Sequence, residues 1–154
     1  MFRNILVPID GSACSAAGLE HAIGLARDCG ARLHLVHVLD AYPMVATMGV
    51  EWSSAESWDA MLQAAREQGE RLMKDAQDRA QAAGVAAERD VIEFPSLRVA
   101  DAIVGEVARR NADLIVMGSH GRRGISRLML GSDAERVLRT APVPVLVVRA
   151  PEAD

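Results

Sequence analysis

The stretch from Ala112 to Arg149, ADLIVMGSHGRRGISRLMLGSDAERVLRTAPVPVLVVR, decides the fold. It opens on a short apolar run, Leu114-Ile115-Val116-Met117, with the length and content of a buried strand. Glycines punctuate the next segment, at Gly118, Gly121, Gly124 and Gly131. Ser132 begins an amphipathic helix, and a second apolar run from Val143 to Val148 closes the stretch. Strand, glycine-rich loop, helix and strand form the repeating unit of a parallel α/β sheet.

The same residues predict an anion site. Glycine lets the backbone turn sharply and approach a ligand with no Cβ in the way. Successive amides of such a loop make a nest for negative charge. The first N–H groups of a helix have no internal partner and carry the positive end of its dipole. Ser132 is read as the N-cap, with Glu135 completing a capping box. Arg122, Arg123 and Arg127 add positive charge to the loop. A glycine-rich connection whose arginines merely face water is the plainer alternative, and the whole constellation argues against it.

Gly118-x2-Gly121-x9-Gly131-Ser132 resembles the nucleotide-binding signature of the universal stress protein family. The opening Asn4-Ile5-Leu6-Val7-Pro8-Ile9-Asp10-Gly11-Ser12 is similar to that family's first strand and turn. The tail Ala141-Pro142-Val143-Pro144-Val145-Leu146-Val147-Val148-Arg149 is similar to its last strand. The resemblance covers residues 1–150 as one domain and leaves 151–154 as a short flexible tail. It implies ATP or another adenine nucleotide as ligand, accompanied by Mg2+.

Bulk properties fit this reading. A chain of 154 residues suits one domain with a real core. Its net charge of −4 gives no electrostatic reason to expect nucleic acid. No apolar run approaches a membrane span, and residues 1–10 lack a signal-peptide pattern. Cys14 and Cys29 fall in one expected helix, about 22 Å apart at 1.5 Å per residue, too far to bridge. A reduced cytoplasmic protein is the simple expectation. Lys74 is the only lysine, so the loop lysine of a Walker-type ATPase is missing.

From the N-terminus, Ile5-Leu6-Val7 with Ile9 reads as a strand buried on both faces, with Pro8 near its end. Asp10 falls at its C-terminal tip. Ser12 caps a helix reaching Cys29, which Gly30 stops; Leu19, Ala22, Ile23 and Ala26 form the inner face. Residues 32–39 form the second strand, on which His34 and His37 point to opposite faces and so share no metal. Periodicity fails over residues 40–57, read either as a flap beside the ligand or as an insertion without a role. Residues 56–83 form a long helix whose inner stripe includes Trp58, Leu62, Gly69, Met73, Ala76 and Ala80. Its outer face is expected to pair Glu67 with Arg71, Glu70 with Lys74 and Asp75 with Arg79. A third strand over 88–92 reads as an edge, and a helix over 100–110 returns the chain to the opening stretch.

Strands alternating with helices call for right-handed parallel crossovers. The expected architecture is α/β: a doubly wound, five-stranded parallel sheet with four helices, Rossmann-like and adenine nucleotide alpha hydrolase-like. The family resemblance implies strand order 3-2-1-4-5. Its reversal between the first and fourth strands opens a crevice with Asp10 on one side and Gly118 on the other. Gly118, Gly121, Gly131 and Ser132 would then hold phosphates, with Arg122 or Arg123 pairing with their oxygens. The resemblance puts Pro8, Asp10, Val38 and Met117 at the adenosine end. Mg2+ would be held by phosphates, water and Asp10. Asp133 and Ala134 depart from the family pattern of an apolar then a hydroxyl residue, and the Asp133 carboxylate would repel a nearby phosphate.

The apolar last strand from Val143 to Val148 is a liability unless covered. The family commonly dimerises there, which implies a homodimer through this strand. The functional expectation is a nucleotide-dependent stress-response dimer without a dedicated catalytic role. A slow nucleotide hydrolase using the same crevice, with His120 as the one acid or base in the loop, is the alternative; a dimerisation module that binds no nucleotide is another.

Overall fold

Alternating helical and strand periodicities produce nine elements in the computed structural model, which describes residues 1–39, 55–93, 98–121 and 130–150. In chain order they are β1 (Asn4–Pro8), α1 (Ala13–Cys29), β2 (Arg32–Leu39), α2 (Ala55–Ala82), β3 (Ala87–Glu93), α3 (Val99–Arg110), β4 (Leu114–Gly118), α4 (Ser132–Thr140) and β5 (Val145–Val148). The strands form one sheet in the order β3-β2-β1-β4-β5. Every neighbouring pair is parallel. The doubly wound sheet expected from the sequence is therefore present.

Alternation along the strands sorts the core into two layers. Ile5, Val7, Leu33, Leu35, Leu114 and Val116 face α1 and α2, where Leu19, Ala22, Ile23, Met73, Ala76 and Ala80 meet them. Leu6, Val36, Ile115 and Met117 face α3 and α4, against Ile103, Val107, Ala134 and Val137. The central strands β1 and β4 are thus buried on both sides, which is why their sequences are apolar without alternation. His34 and His37 lie on opposite faces as expected. His34 bonds the Asn4 amide oxygen at 3.2 Å, and His37 bonds the Ile9 carbonyl at 2.7 Å.

Helix ends follow local chemistry. Ser12 caps α1 by accepting from the Ser15 amide, and Gly30 ends it in the left-handed region at φ +66°. The outer charges of α2 depart from the expected i,i+4 pairs. Glu70 pairs with Arg89 of β3, Arg79 with Glu20 of α1, and Lys74 with Asp78. For Glu70 and Arg79, neighbouring elements bring opposite charges within reach that periodicity on one helix does not reveal, while Lys74 takes the i,i+4 carboxylate on its C-terminal side. The last strand is also shorter than expected. Pro144 precedes it and contributes only its carbonyl, which accepts from the Ile115 amide at 3.0 Å. Of the stretch 40–57, expected as a flap or as an insertion without a role, residues 40–54 lie outside the described residues, as does the tail 151–154; residues 55–57 belong to α2.

Candidate functional site

Beyond Pro8 the first strand makes one more ladder bond, from the Ile9 amide to the Val36 carbonyl at 2.8 Å. The chain then turns at Asp10, whose Oδ1 accepts from the Ser12 amide at 2.8 Å. The Asp10 amide donates to Ser15 Oγ at 3.2 Å. Gly11, at φ +80°, supplies the left-handed residue this turn needs. One carboxylate oxygen of Asp10 is thus bound within the turn. The other, Oδ2, faces the loop that leaves β4: a Cβ on Gly121 would stand 2.7 Å from it.

The glycines of the signature have different reasons to be glycine. Gly118 is pressed against α1, since a Cβ there would lie 2.7 Å from the Cys14 carbonyl carbon and 2.8 Å from the Ser15 amide nitrogen. Its missing side chain lets helix α1 cross the end of β4. Gly131 approaches the Ser119 carbonyl, 3.1 Å from where its Cβ would be. Only Gly121 borders Asp10 across the crevice.

The start of α4 corrects the expected capping box. Gly131, not Ser132, is the N-cap, with extended backbone and no side-chain cap bond. Its amide donates to the Ser119 carbonyl at 2.8 Å, so the Gly131 N–H is not a free donor. The first amide of α4 to bond back is that of Glu135, to the Gly131 carbonyl at 2.8 Å. The amides of Ser132, Asp133 and Ala134 come before it, and none has a partner among the described residues. Ser132 and Asp133 are exposed, while Ala134 is buried. Of the donors the sequence put here, Gly131 is taken up by Ser119, while Ser132 is joined by Asp133 and Ala134.

His120 is tied down on two sides. Its carbonyl accepts from Ser12 Oγ at 3.3 Å, and its Nδ1 lies 2.9 Å from Ser119 Oγ. Ser119 Oγ also lies 3.7 Å from Cys14 Sγ. His120 Nε2 is buried without a partner among the described residues. A depression of about 240 Å³ lies on the β5 side of this loop, lined by Ser119, His120, Leu130, Val147 and Arg149.

The other sequence candidates are distributed around this crevice. Pro8 and Val38 are half-buried near the C-terminal ends of β1 and β2, and Met117 is buried next to Gly118. Val38 and Met117 pack on the α3 and α4 face; alternation places Pro8 with Leu6 on that face. Arg122, Arg123, Gly124 and Arg127 lie outside the described residues. Among the described residues no cluster of three His, Cys, Asp or Glu side chains is placed to hold a metal by itself.

With the fold and crevice in hand, the comparisons with known proteins decide the family. The model of the Universal stress protein family matches residues 1–149. The chain belongs to the universal stress protein family. Universal stress protein MJ0531 of Methanocaldococcus jannaschii is 33% identical to it over 154 residues, all of this chain and 86% of that protein. A universal stress protein family structure from Burkholderia pseudomallei is 35% identical, with TM-score 0.71 over 94% of each chain. A universal stress protein in complex with cAMP matches at TM-score 0.66 and 24% identity, covering 97% of this chain and 98% of that one. The Archaeoglobus fulgidus family structure in complex with dAMP matches at TM-score 0.63 and 22% identity, over 95% and 97%. At those identities the two complexes speak for the shared fold.

Sequence reasoning missed Ser15, Ser119 and Cys14, which knit β4, α1 and the Asp10 turn together. Each looks like an ordinary helix or loop residue, and only the close crossing at Gly118 brings them into one cluster. A faint signal was present in Gly18: a Cβ there would sit 3.4 Å from the Gly118 amide nitrogen.

Proposed function

We propose that this universal stress protein binds an adenine nucleotide, ATP with Mg2+ included, in the crevice between β1 and β4. The observation that carries the proposal is the convergence at that crevice. The Asp10 turn, the close-packed Gly121 and the three amides at the start of α4 that have no partner among the described residues meet at the reversal point of the sheet. Pro8, Asp10, Val38 and Met117 would serve the adenosine end. Gly121, the amides of Ser132 to Ala134, and Arg122 or Arg123 would serve the phosphates. Asp10 Oδ2, which bonds to no other described residue, would suit a magnesium ion held mainly by phosphates and water, which takes few protein ligands.

A regulatory rather than catalytic role is the reading we favour. A general base must reach the attacking group, and His120 has one nitrogen held by Ser119 and the other buried. Slow hydrolysis remains the alternative activity of the same crevice. A dimer through β5 would cover the unpaired edge of the sheet. Cytoplasmic location is part of the same proposal; no described helix is long and apolar enough to cross a membrane.

Isothermal titration with ATP, AMP and cAMP, each with and without Mg2+, tests the ligand. Native mass spectrometry of the purified protein reads subunit number and any co-purified nucleotide. Heats of binding for adenine nucleotides are expected; no heat and no retained nucleotide would overturn the proposal. Asp133→Asn removes a negative charge from the first turn of α4 and is expected to raise ATP affinity about two- to fivefold, more than it raises that of AMP.

A further inference from the structure

His37 lies outside the crevice, on the α2 face of the sheet, yet one hydrogen bond ties it to the residue just before the crevice mouth. Its Nδ1 lies 2.7 Å from the Ile9 carbonyl, immediately before Asp10. A carbonyl only accepts, so Nδ1 carries the proton and donates whether the ring is neutral or charged. The ring is held from above by α2, because Gly69 approaches it so closely that a Cβ would stand 2.9 Å from His37 Cδ2. One helical turn further on, Leu72 covers Gly11 on the other side of Asp10, with Cδ2 3.6 Å from where a Gly11 Cβ would be. Helix α2 therefore grips both flanks of Asp10, through His37 on Ile9 and through Leu72 on Gly11.

We infer that His37 is a positioning residue for the crevice: its Nδ1–H holds the Ile9 carbonyl and so fixes where β1 ends and where the Asp10 carboxylate points. This rests on reading the crevice as an adenine-nucleotide site. Past Pro8 the ladder makes its last bond through the Ile9 amide, and the imidazole supplies the donor for the Ile9 carbonyl. Without that donor a buried acceptor is left unsatisfied, and the turn has reason to shift. Asp10 has little freedom to shift harmlessly, being held to Ser12 on one oxygen and against Gly121 on the other.

The test compares wild type with His37→Leu, which removes the donor, and His37→Asn, whose amide nitrogen occupies the place of Nδ1. Affinity for AMP and ATP is read by titration calorimetry. The exchange rate of the Ser12 amide, bonded to Asp10 Oδ1, is read by NMR. His37→Leu is expected to weaken nucleotide binding about tenfold and to speed Ser12 exchange, while His37→Asn restores both to within about threefold. Equal loss in both variants would reduce His37 to packing, and no change in either would remove it from the site; each result overturns the inference. If the wild type binds no adenine nucleotide while Ser12 exchange still follows the donor, the ligand reading fails and the hold on Asp10 stands. Should His37→Leu not fold, Gly69→Ala displaces the ring with the donor intact. It must then move affinity and Ser12 exchange in the same direction, and unchanged values overturn the inference.

Discussion

Asp10 and Gly121, far apart in sequence, meet across the crevice so closely that a single added methyl on Gly121 would stand 2.7 Å from Asp10 Oδ2. The contact joins the turn after β1 to the loop after β4, the two segments that flank the reversal of the sheet. Gly121 is exposed, so the clash falls on the crevice and not on the core.

Gly121→Ala should therefore separate binding from stability. The new methyl pushes Asp10 Oδ2 aside while the rest of the fold is untouched. Adenine-nucleotide affinity is expected to fall about tenfold, with unfolding free energy in urea changed by no more than about 0.5 kcal/mol, as is usual for exposed positions. A variant that binds like wild type would exclude Asp10 Oδ2 and Gly121 from the ligand site.

Gly118 predicts the opposite separation. A Cβ there meets backbone, the Cys14 carbonyl carbon at 2.7 Å and the Ser15 amide nitrogen at 2.8 Å, and backbone of a packed helix yields poorly. Gly118→Ala is expected to cost about 1–3 kcal/mol by urea denaturation, the range for overpacking. Gly18→Ala, whose Cβ would sit 3.4 Å from the Gly118 amide, should cost less. Equal stabilities for wild type and Gly118→Ala would refute the close crossing of α1 over β4.

These two glycines show how far the sequence could be read. Strand and helix periods, with Ser12 and Gly30 as punctuation, disclosed the alternating elements of a parallel α/β sheet, because local chemistry specifies them; the strand order, and with it the place of the reversal, came from the family resemblance. The signature Gly118-x2-Gly121-x9-Gly131 looked like one device for approaching a phosphate. In three dimensions Gly118 serves helix packing, Gly131 bonds Ser119, and Gly121 alone borders Asp10. Those assignments depend on which backbone passes nearby, and α1 lies far away in sequence. The capping box failed for a related reason. Ser132 and Glu135 have the right spacing, but the Ser119 carbonyl holds Gly131, which becomes the N-cap and starts the helix one residue earlier.

The edge of the sheet carries a prediction about assembly. β5 ends the strand order, and Leu146 on it is 37% exposed. An apolar side chain on an unpaired strand edge invites a second copy of the chain. Leu146→Lys places a charge there and is expected to shift the protein from dimer to monomer in sedimentation velocity without loss of secondary structure. Wild-type protein that sediments as a monomer at all concentrations would refute the proposed interface.

A last prediction concerns acid, and it comes from His34 at the opposite end of the strands. Its ring is buried at 5% exposure, with Nε2 at 3.2 Å from Asn4 Oδ1 and Nδ1 at 3.5 Å from Glu88 Oε2. Burial pulls its pKa below the ordinary 6.5; Glu88 opposes this, while Arg110 and Arg32 assist it. The folded protein thus takes up this proton less readily than the unfolded chain. As pH falls through 6.5 toward the lowered folded value, the unfolded state is protonated first and stability is lost. Above 6.5 both states are neutral at this site and the contribution is level. His34→Gln should flatten the stability profile measured by urea unfolding between about pH 7.5 and pH 5. Glu88→Gln removes the one opposing charge and should steepen it. A profile with the same slope in wild type and His34→Gln would show that this imidazole is not what makes the fold sensitive to acid.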